Sequence, residues 1–208
     1  MRITAEAKTL TRERILEVAT RLFQTDGWHV TTTRSIAVAA GIATGTLFNY
    51  FPAKEAIAAT LMAEALRRSH QDRAGEDEGS IEADLFTLIW SGLFRLREFR
   101  KFLGPAAETI FSPLARAAPD SAGDAIRVEH LELMEAILTA HGFAAPRSVV
   151  TGQLYWTLYL GVFMFWAADE SPGLEDTLAL LDESVKLFAA SLGVHRARAL
   201  AADSLGPI

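Results

Sequence analysis

The feature that most restricts this chain is the spacing Ala37-x3-Gly41-x5-Leu47 inside TRSIAVAAGIATGTLFNYF. Two short helices joined by a tight turn cross so closely that the first needs a small residue facing the second, and Ala37 supplies it. The turn itself needs one residue at positive φ, which Gly41 adopts without a Cβ penalty. Ile36, Ala40, Ile42, Leu47 and Tyr50 then form a small core between the helices, and Thr44 stands where a hydroxyl caps the second one. This is the pattern of a helix-turn-helix.

The rest of the chain reads with helical period. Ile15, Val18, Ala19, Leu22 and Phe23 follow the i, i+3, i+4, i+7, i+8 pattern of a helix over 11–26, capped by Thr11 and ended by Gly27. Short helices are predicted over 33–40 and 44–50, and a longer one from Lys54 to Arg73. The acidic stretch Gly75-Glu76-Asp77-Glu78-Gly79 breaks the pattern. Ser80 caps a helix to Phe102, which Gly104-Pro105 ends. Pro119-Asp120 precedes a helix over 121–141, and Gly142 to Pro146 is a loop. Helices over 147–168 and 174–192 are divided by Ser171-Pro172-Gly173. Nothing alternates with period two over a useful length, so the expected class is all-α, with about nine helices.

With half of its 208 residues apolar, the chain can bury a proper core. It has no cysteine, which excludes disulfides and thiolate metal sites and fits a reducing cytoplasm. The start, MRITAEAKTLTRER, has no apolar run of the secretory kind. The net charge of −6 is unevenly spread: residues 1–73 carry 10 Lys+Arg against 7 Asp+Glu, and residues 74–208 carry 10 against 19. A basic end on an acidic protein points to local contact with a polyanion.

Catalysis finds little support. Among the five histidines, His130 and His141 share a helical face, but eleven residues of helix separate them by about 16 Å, too far to share a metal. No nucleophile elbow, phosphate-binding loop or dinucleotide fingerprint occurs. No enzyme activity, metal or cofactor is expected.

A helix-turn-helix places the N-terminal part of its second helix against base edges in the major groove. Ala43, Thr44, Gly45, Phe48 and Asn49 are free to face outward there. Asn49 can pair with adenine, and Phe48 or Ala43 can contact a thymine methyl. Thr44, Thr46, Tyr50 and Lys54 suit phosphate oxygens, as do the hydroxyls and amides of Thr31, Thr32 and Thr33.

Residues 11–57 resemble the N-terminal domain of tetracycline-repressor (TetR) family regulators. The likeness runs through Ile15, Ala19, Phe23, Gly27, Thr31, Ile36, Ala37, Ala40, Gly41, Gly45, Leu47, Tyr50, Phe51, Lys54 and Glu55, and the string G-T-L-F-N-Y-F-x-x-K-E is the specific part. Ala43 stands where the family commonly has serine and Thr44 where lysine is frequent; Ser35 and Val38 replace residues that are often acidic or charged. The resemblance implies a helix-turn-helix domain over 1–54 and an effector-binding and dimerisation domain over 55–195; the Ala-rich stretch 196–208, which runs out through Gly206-Pro207, is expected to be a flexible tail. It also implies a homodimeric repressor released from a palindromic, double-stranded DNA operator by a small molecule.

The residues of the larger domain bear on this independently. Residues 148–168 carry no charge over 21 positions, long enough to cross a bilayer. Ser148, Thr151, Gln153 and Thr157 in its first half, and Asp169-Glu170 at its far end, favour instead a helix buried between the core and a second subunit. Leu178, Leu181, Val185, Phe188 and Leu192 over 174–192 suit packing against a partner or within one subunit's own core; the resemblance assigns the dimer to helices 147–168 and 174–192. Phe86, Trp90 and Phe94 repeat at i, i+4, i+8, and with Phe111, Tyr155, Trp156, Tyr159, Phe163 and Trp166 they can line a hydrophobic effector pocket or simply fill the core. Gln153, Tyr155 and Tyr159 are its polar candidates.

Overall fold

The first helix, α1 (Ala5–Thr25), is capped about two turns before the expected position. Ala5, Glu6, Ala7 and Lys8 are good helix formers, so the helix propagates back to Thr4, whose Oγ1 accepts from the Ala7 amide at 3.2 Å. Thr11 lies inside the helix with its hydroxyl donating to the Ala7 carbonyl at 2.8 Å. The computed structural model describes residues 4–73, 79–111, 122–143 and 148–204, and these are all helix, turn or loop, with no strand. The acidic segment 75–78, Pro119-Asp120, residues 144–147 and residues 205–208 lie outside them.

The chain divides into two compact units, Met1–Gln71 with Arg95–Ile126, and Asp72–Phe94 with Arg127–Ile208. In the first, α2 (Thr33–Ala39) starts from a capping box in which Thr32 and Ser35 satisfy each other's amides. Ser35 therefore helps to close the start of α2 from within its first turn. Gly41 turns the chain at φ 68°, and the Ile42 amide closes the turn on the Ala37 carbonyl at 3.0 Å. Thr44–Phe48 forms α3, but its cap residue is Ala43, which has no side chain able to accept; Thr44 is already helical and does not cap. Ile36, Ala37, Ala40 and Leu47 are buried as expected, whereas Ile42 and Tyr50 are only half-buried. Ile15, Ala19, Phe23, Phe51, Ile57 and Ala58 close this core.

Lys54–Arg73 is α4 and Ile81–Leu96 is α5, the latter started by the Ser80 hydroxyl. The helix expected to reach Phe102 breaks at a 3-10 turn, Arg97–Phe99, and resumes as α6 (Arg100–Ile110). Gly104-Pro105 lies within α6 and does not end it. Proline crowds the Cβ of the residue before it, and Gly104 has none. The buried row Phe102, Leu103, Ala106, Ala107 and Ile110 outweighs one lost backbone bond. Next come α7 (Ala122–Ala140), α8 (Val149–Ala168, capped by Ser148) and, after a 3-10 turn at Pro172–Leu174, α9 (Glu175–Ser204). The backbone of α9 thus runs past residue 192, where its apolar repeat stops. No described helix is long and apolar enough to cross a membrane.

Candidate nucleic-acid interface

Everything that positions α3 lies in the first unit. The Ala37–Gly41–Leu47 core holds it against α2, and Leu47 is fully buried. That leaves a short outward face: Gly45, Phe48 and Asn49 are exposed, and Thr44, Thr46 and Tyr50 half-buried. Phe48 is 49% exposed, so its ring is open to contact from outside. A Cβ at Gly45 would meet no atom within 4 Å, so the surface there is open.

Two of the expected phosphate ligands are held inside the unit. The Thr31 hydroxyl is buried and donates to the Gly27 carbonyl at 2.8 Å. The Lys54 ammonium donates to the carbonyls of Trp28 at 2.6 Å and Thr31 at 3.1 Å, and sits 4.5 Å from the centre of the Trp28 ring. Lys54 is the first residue of α4, so it ties that helix to the connection between α1 and α2. Thr32 and Thr33 remain toward the surface.

Sequence reasoning missed a groove of about 460 Å³ beside α3, lined by Lys8, Thr9, Arg12, Thr46, Asn49 and Tyr50. The available signal was Lys8 and Arg12 at i, i+4, which puts both on one face of α1.

The second unit carries the expected pocket aromatics other than Phe111, though not as one pocket. Tyr155, Trp156, Tyr159, Phe163 and Trp166 are buried along α8. His130 is buried against them, with Nε2 3.0 Å from the Tyr155 hydroxyl and its ring centre 4.1 Å from that of Tyr159. Arg127 donates to the exposed Gln153 at 2.9 Å. On α5 the buried row is Leu85, Leu88, Ile89 and Leu93, which follows helical spacing better than the aromatics do. Phe86 and Trp90 are accordingly half-buried and Phe94 is half exposed. Phe111 belongs to the first unit. A cavity of about 10 Å³, the space of a single water, is lined by Ile89, Tyr155, Leu158, Tyr159, Val162, Ser184, Val185 and Phe188. The Tyr159 hydroxyl is buried and finds no hydrogen-bond partner among the described residues. Burial also pushes its pKa well above the usual phenol value, so it stays protonated.

The other face of α8 is apolar and uncovered. Val150, Leu154, Thr157, Gly161, Phe165 and Ala168 recur at steps of three and four residues, which puts them on one side of the helix, and all are exposed. On α9, Leu181, Val185, Phe188 and Leu192 fill the unit's own core rather than a subunit seam, while Leu180 and Leu187 point outward.

Residues 15–61 match the family model for bacterial regulatory proteins, tetR family. No curated protein matches the chain in sequence. Among solved structures, Thermus thermophilus FadR, a TetR family transcriptional repressor in complex with lauroyl-CoA, is 25% identical. It covers 86% of this chain and 93% of its own, at a TM-score of 0.62. A TetR transcriptional regulator from Rhodococcus sp. RHA1 is 17% identical, covering 87% and 97%, at 0.69. The fatty acid degradation regulator FadR from Bacillus halodurans is 19% identical, covering 86% and 94%, at 0.59.

Proposed function

Since this chain belongs to the TetR family of bacterial regulatory proteins, we propose that it acts in the cytoplasm as a homodimeric repressor, released from a palindromic operator by a small, largely apolar effector. The observation that carries the DNA-binding part is α3 itself. Its buried residues are fixed by the turn, so that Gly45, Phe48 and Asn49 stand outward at the spacing of one groove-facing helix. Asn49 reads adenine, Phe48 covers a thymine methyl, and Thr32, Thr33, Thr44, Thr46 and Tyr50 take phosphates. Thr31 and Lys54 act on DNA indirectly, by fixing where α4 begins relative to the turn.

The uncovered seam on α8, with Leu180 and Leu187 on α9, supports pairing with a second copy. The Tyr159 hydroxyl supports an effector that brings one hydrogen-bond acceptor into an otherwise apolar interior. A cavity of about 10 Å³ admits no such molecule unopened. Effector entry therefore requires α5, α8 and α9, which line it, to move apart. The lauroyl-CoA held by the Thermus thermophilus neighbour has a long apolar chain, in keeping with this class.

The test is an electrophoretic shift on DNA from upstream of the chain's own gene. A sequence-specific complex is expected, with an affinity that falls steeply as salt rises. No specific shift on any genomic fragment would sink the reading.

A further inference from the structure

We propose that the groove beside α3 seats a backbone phosphate flanking the half-site, and that Glu64 on α4 sets DNA affinity by competing for the arginine that would hold it. The proposal rests on the DNA-binding reading above.

The groove has the composition such a site needs. Two of its six lining residues, Lys8 and Arg12, are cations, and the other four offer hydroxyls or an amide; none is a carboxylate. Lys8 and Arg12 come from one face of α1, while Thr46, Asn49 and Tyr50 come from α3 and its end. A phosphate held here is thus gripped from α1 at the edge of the surface that reads bases. Contacts of this kind position a protein on the duplex and carry no sequence information. The continuity with Asn49 makes the occupant a DNA phosphate rather than a free anion.

Arg12 is engaged at the same time with α4. Its Nη1 donates to Glu64 Oε1 at 3.0 Å, and its guanidinium lies 5.4 Å from the centre of the Phe51 ring. The arginine side chain is 43% exposed and the glutamate 29%. A pair this open is weak in water. A phosphate offers the guanidinium a stronger, two-pronged partner, and the Phe51 ring gives it a face to pivot on while it changes partner. Each time DNA binds, Glu64 gives up its arginine, and that loss is subtracted from the affinity.

The experiment measures binding of the full chain to an operator duplex and to a scrambled duplex by fluorescence anisotropy, between about 50 and about 200 mM salt. Lys8→Gln and Arg12→Gln should weaken binding to both duplexes in equal proportion. Each should also reduce the slope of log affinity against log salt by about 1 per half-site. Glu64→Gln should tighten binding about two- to fivefold per half-site, and should do nothing when Arg12→Gln is already present. Lys8 is exposed on the surface of α1, so its variant keeps the fold even where Arg12→Gln lowers stability. A wild-type salt slope in both Lys8→Gln and Arg12→Gln would overturn the phosphate seat. A Glu64→Gln gain that survives the loss of Arg12 would overturn the competition and assign the effect to general charge. Failure of the wild-type chain to bind any duplex specifically would overturn the DNA-binding reading along with this one.

Discussion

At the scale of single residues, Asp169 shows how a carboxylate organises a helix start. It accepts from the Thr177 hydroxyl, the Thr177 amide at 3.0 Å and the Ser171 amide at 2.7 Å. Ser171 in turn accepts from the Asp176 amide, so the turn before α9 satisfies that helix's open amides from outside its own sequence. The bond from Thr177, then that from Ser171, hold the Asp169 carboxyl well below the usual carboxylate range. A depressed folded pKa gives stability that is complete above the ordinary carboxylate value of about 4 and is lost as pH falls through it toward the folded one. In acid titrations followed by circular dichroism, the wild-type chain should therefore lose thermal stability as pH drops below about 4. Asp169→Asn should be less stable at neutral pH, with a flatter acid limb. Equal acid limbs would show that Asp169 does not contribute. The same scale shows why some side-chain roles cannot be read from sequence. Lys54 and Thr31 are polar residues at the right positions for phosphate, yet each is drawn inward by carbonyls that only the folded connection between α1 and α2 presents. Lys8 and Arg12 lie far from α3 along the chain, and only the packing of α1 reveals them as its neighbours.

At the scale of elements, the helix-turn-helix was legible because its constraints are local: a small residue, a glycine at φ 68° and a leucine at a fixed offset. Helix ends decided by tertiary packing were less so. Gly104-Pro105 reads as a break, but the row from Phe102 to Ile110 is buried on both sides of it. The aromatic repeat on α5 reads as an inward stripe, but the leucines beside it are the inward ones. Helix α8 is the clearest case of a sequence property with two structural consequences. Its lack of charge reflects one face buried within its own unit and another that remains uncovered, with Phe165 42% exposed and Val150 64%. Gly161 lies in the middle of the uncovered face, where a Cβ would meet nothing within 4 Å. Gly161→Glu should therefore leave the monomer folded, and even favour the helix by about 0.5–1 kcal/mol. Placed near the centre of a dimer seam, the same glutamate would be buried against its symmetry mate and oppose association. At one and the same concentration, sedimentation should find the wild-type chain dimeric and the variant a monomer of native helicity. A persistent dimer would move the subunit interface elsewhere.

At the scale of the whole molecule, the two halves of the chain have opposite charge and complementary weaknesses. The readout face of α3 has no arginine or lysine of its own, only Thr44, Gly45, Thr46, Phe48 and Asn49, so one copy should hold DNA poorly. The excess of 9 negative charges over residues 74–208 lowers affinity for DNA of any sequence. A dimer turns both into specificity, because the second half-site is met at the effective concentration set by the first. The wild-type chain should prefer a full palindrome over an isolated half-site by about 10²- to 10⁴-fold at fixed salt. For Gly161→Glu the preference should fall to about two, the statistical value for two independent sites, with half-site affinity unchanged. Anisotropy titrations on the two duplexes decide the matter: a large preference retained by a monomeric variant would mean that a single copy reads the whole operator, and the apolar seam on α8 would then need another occupant.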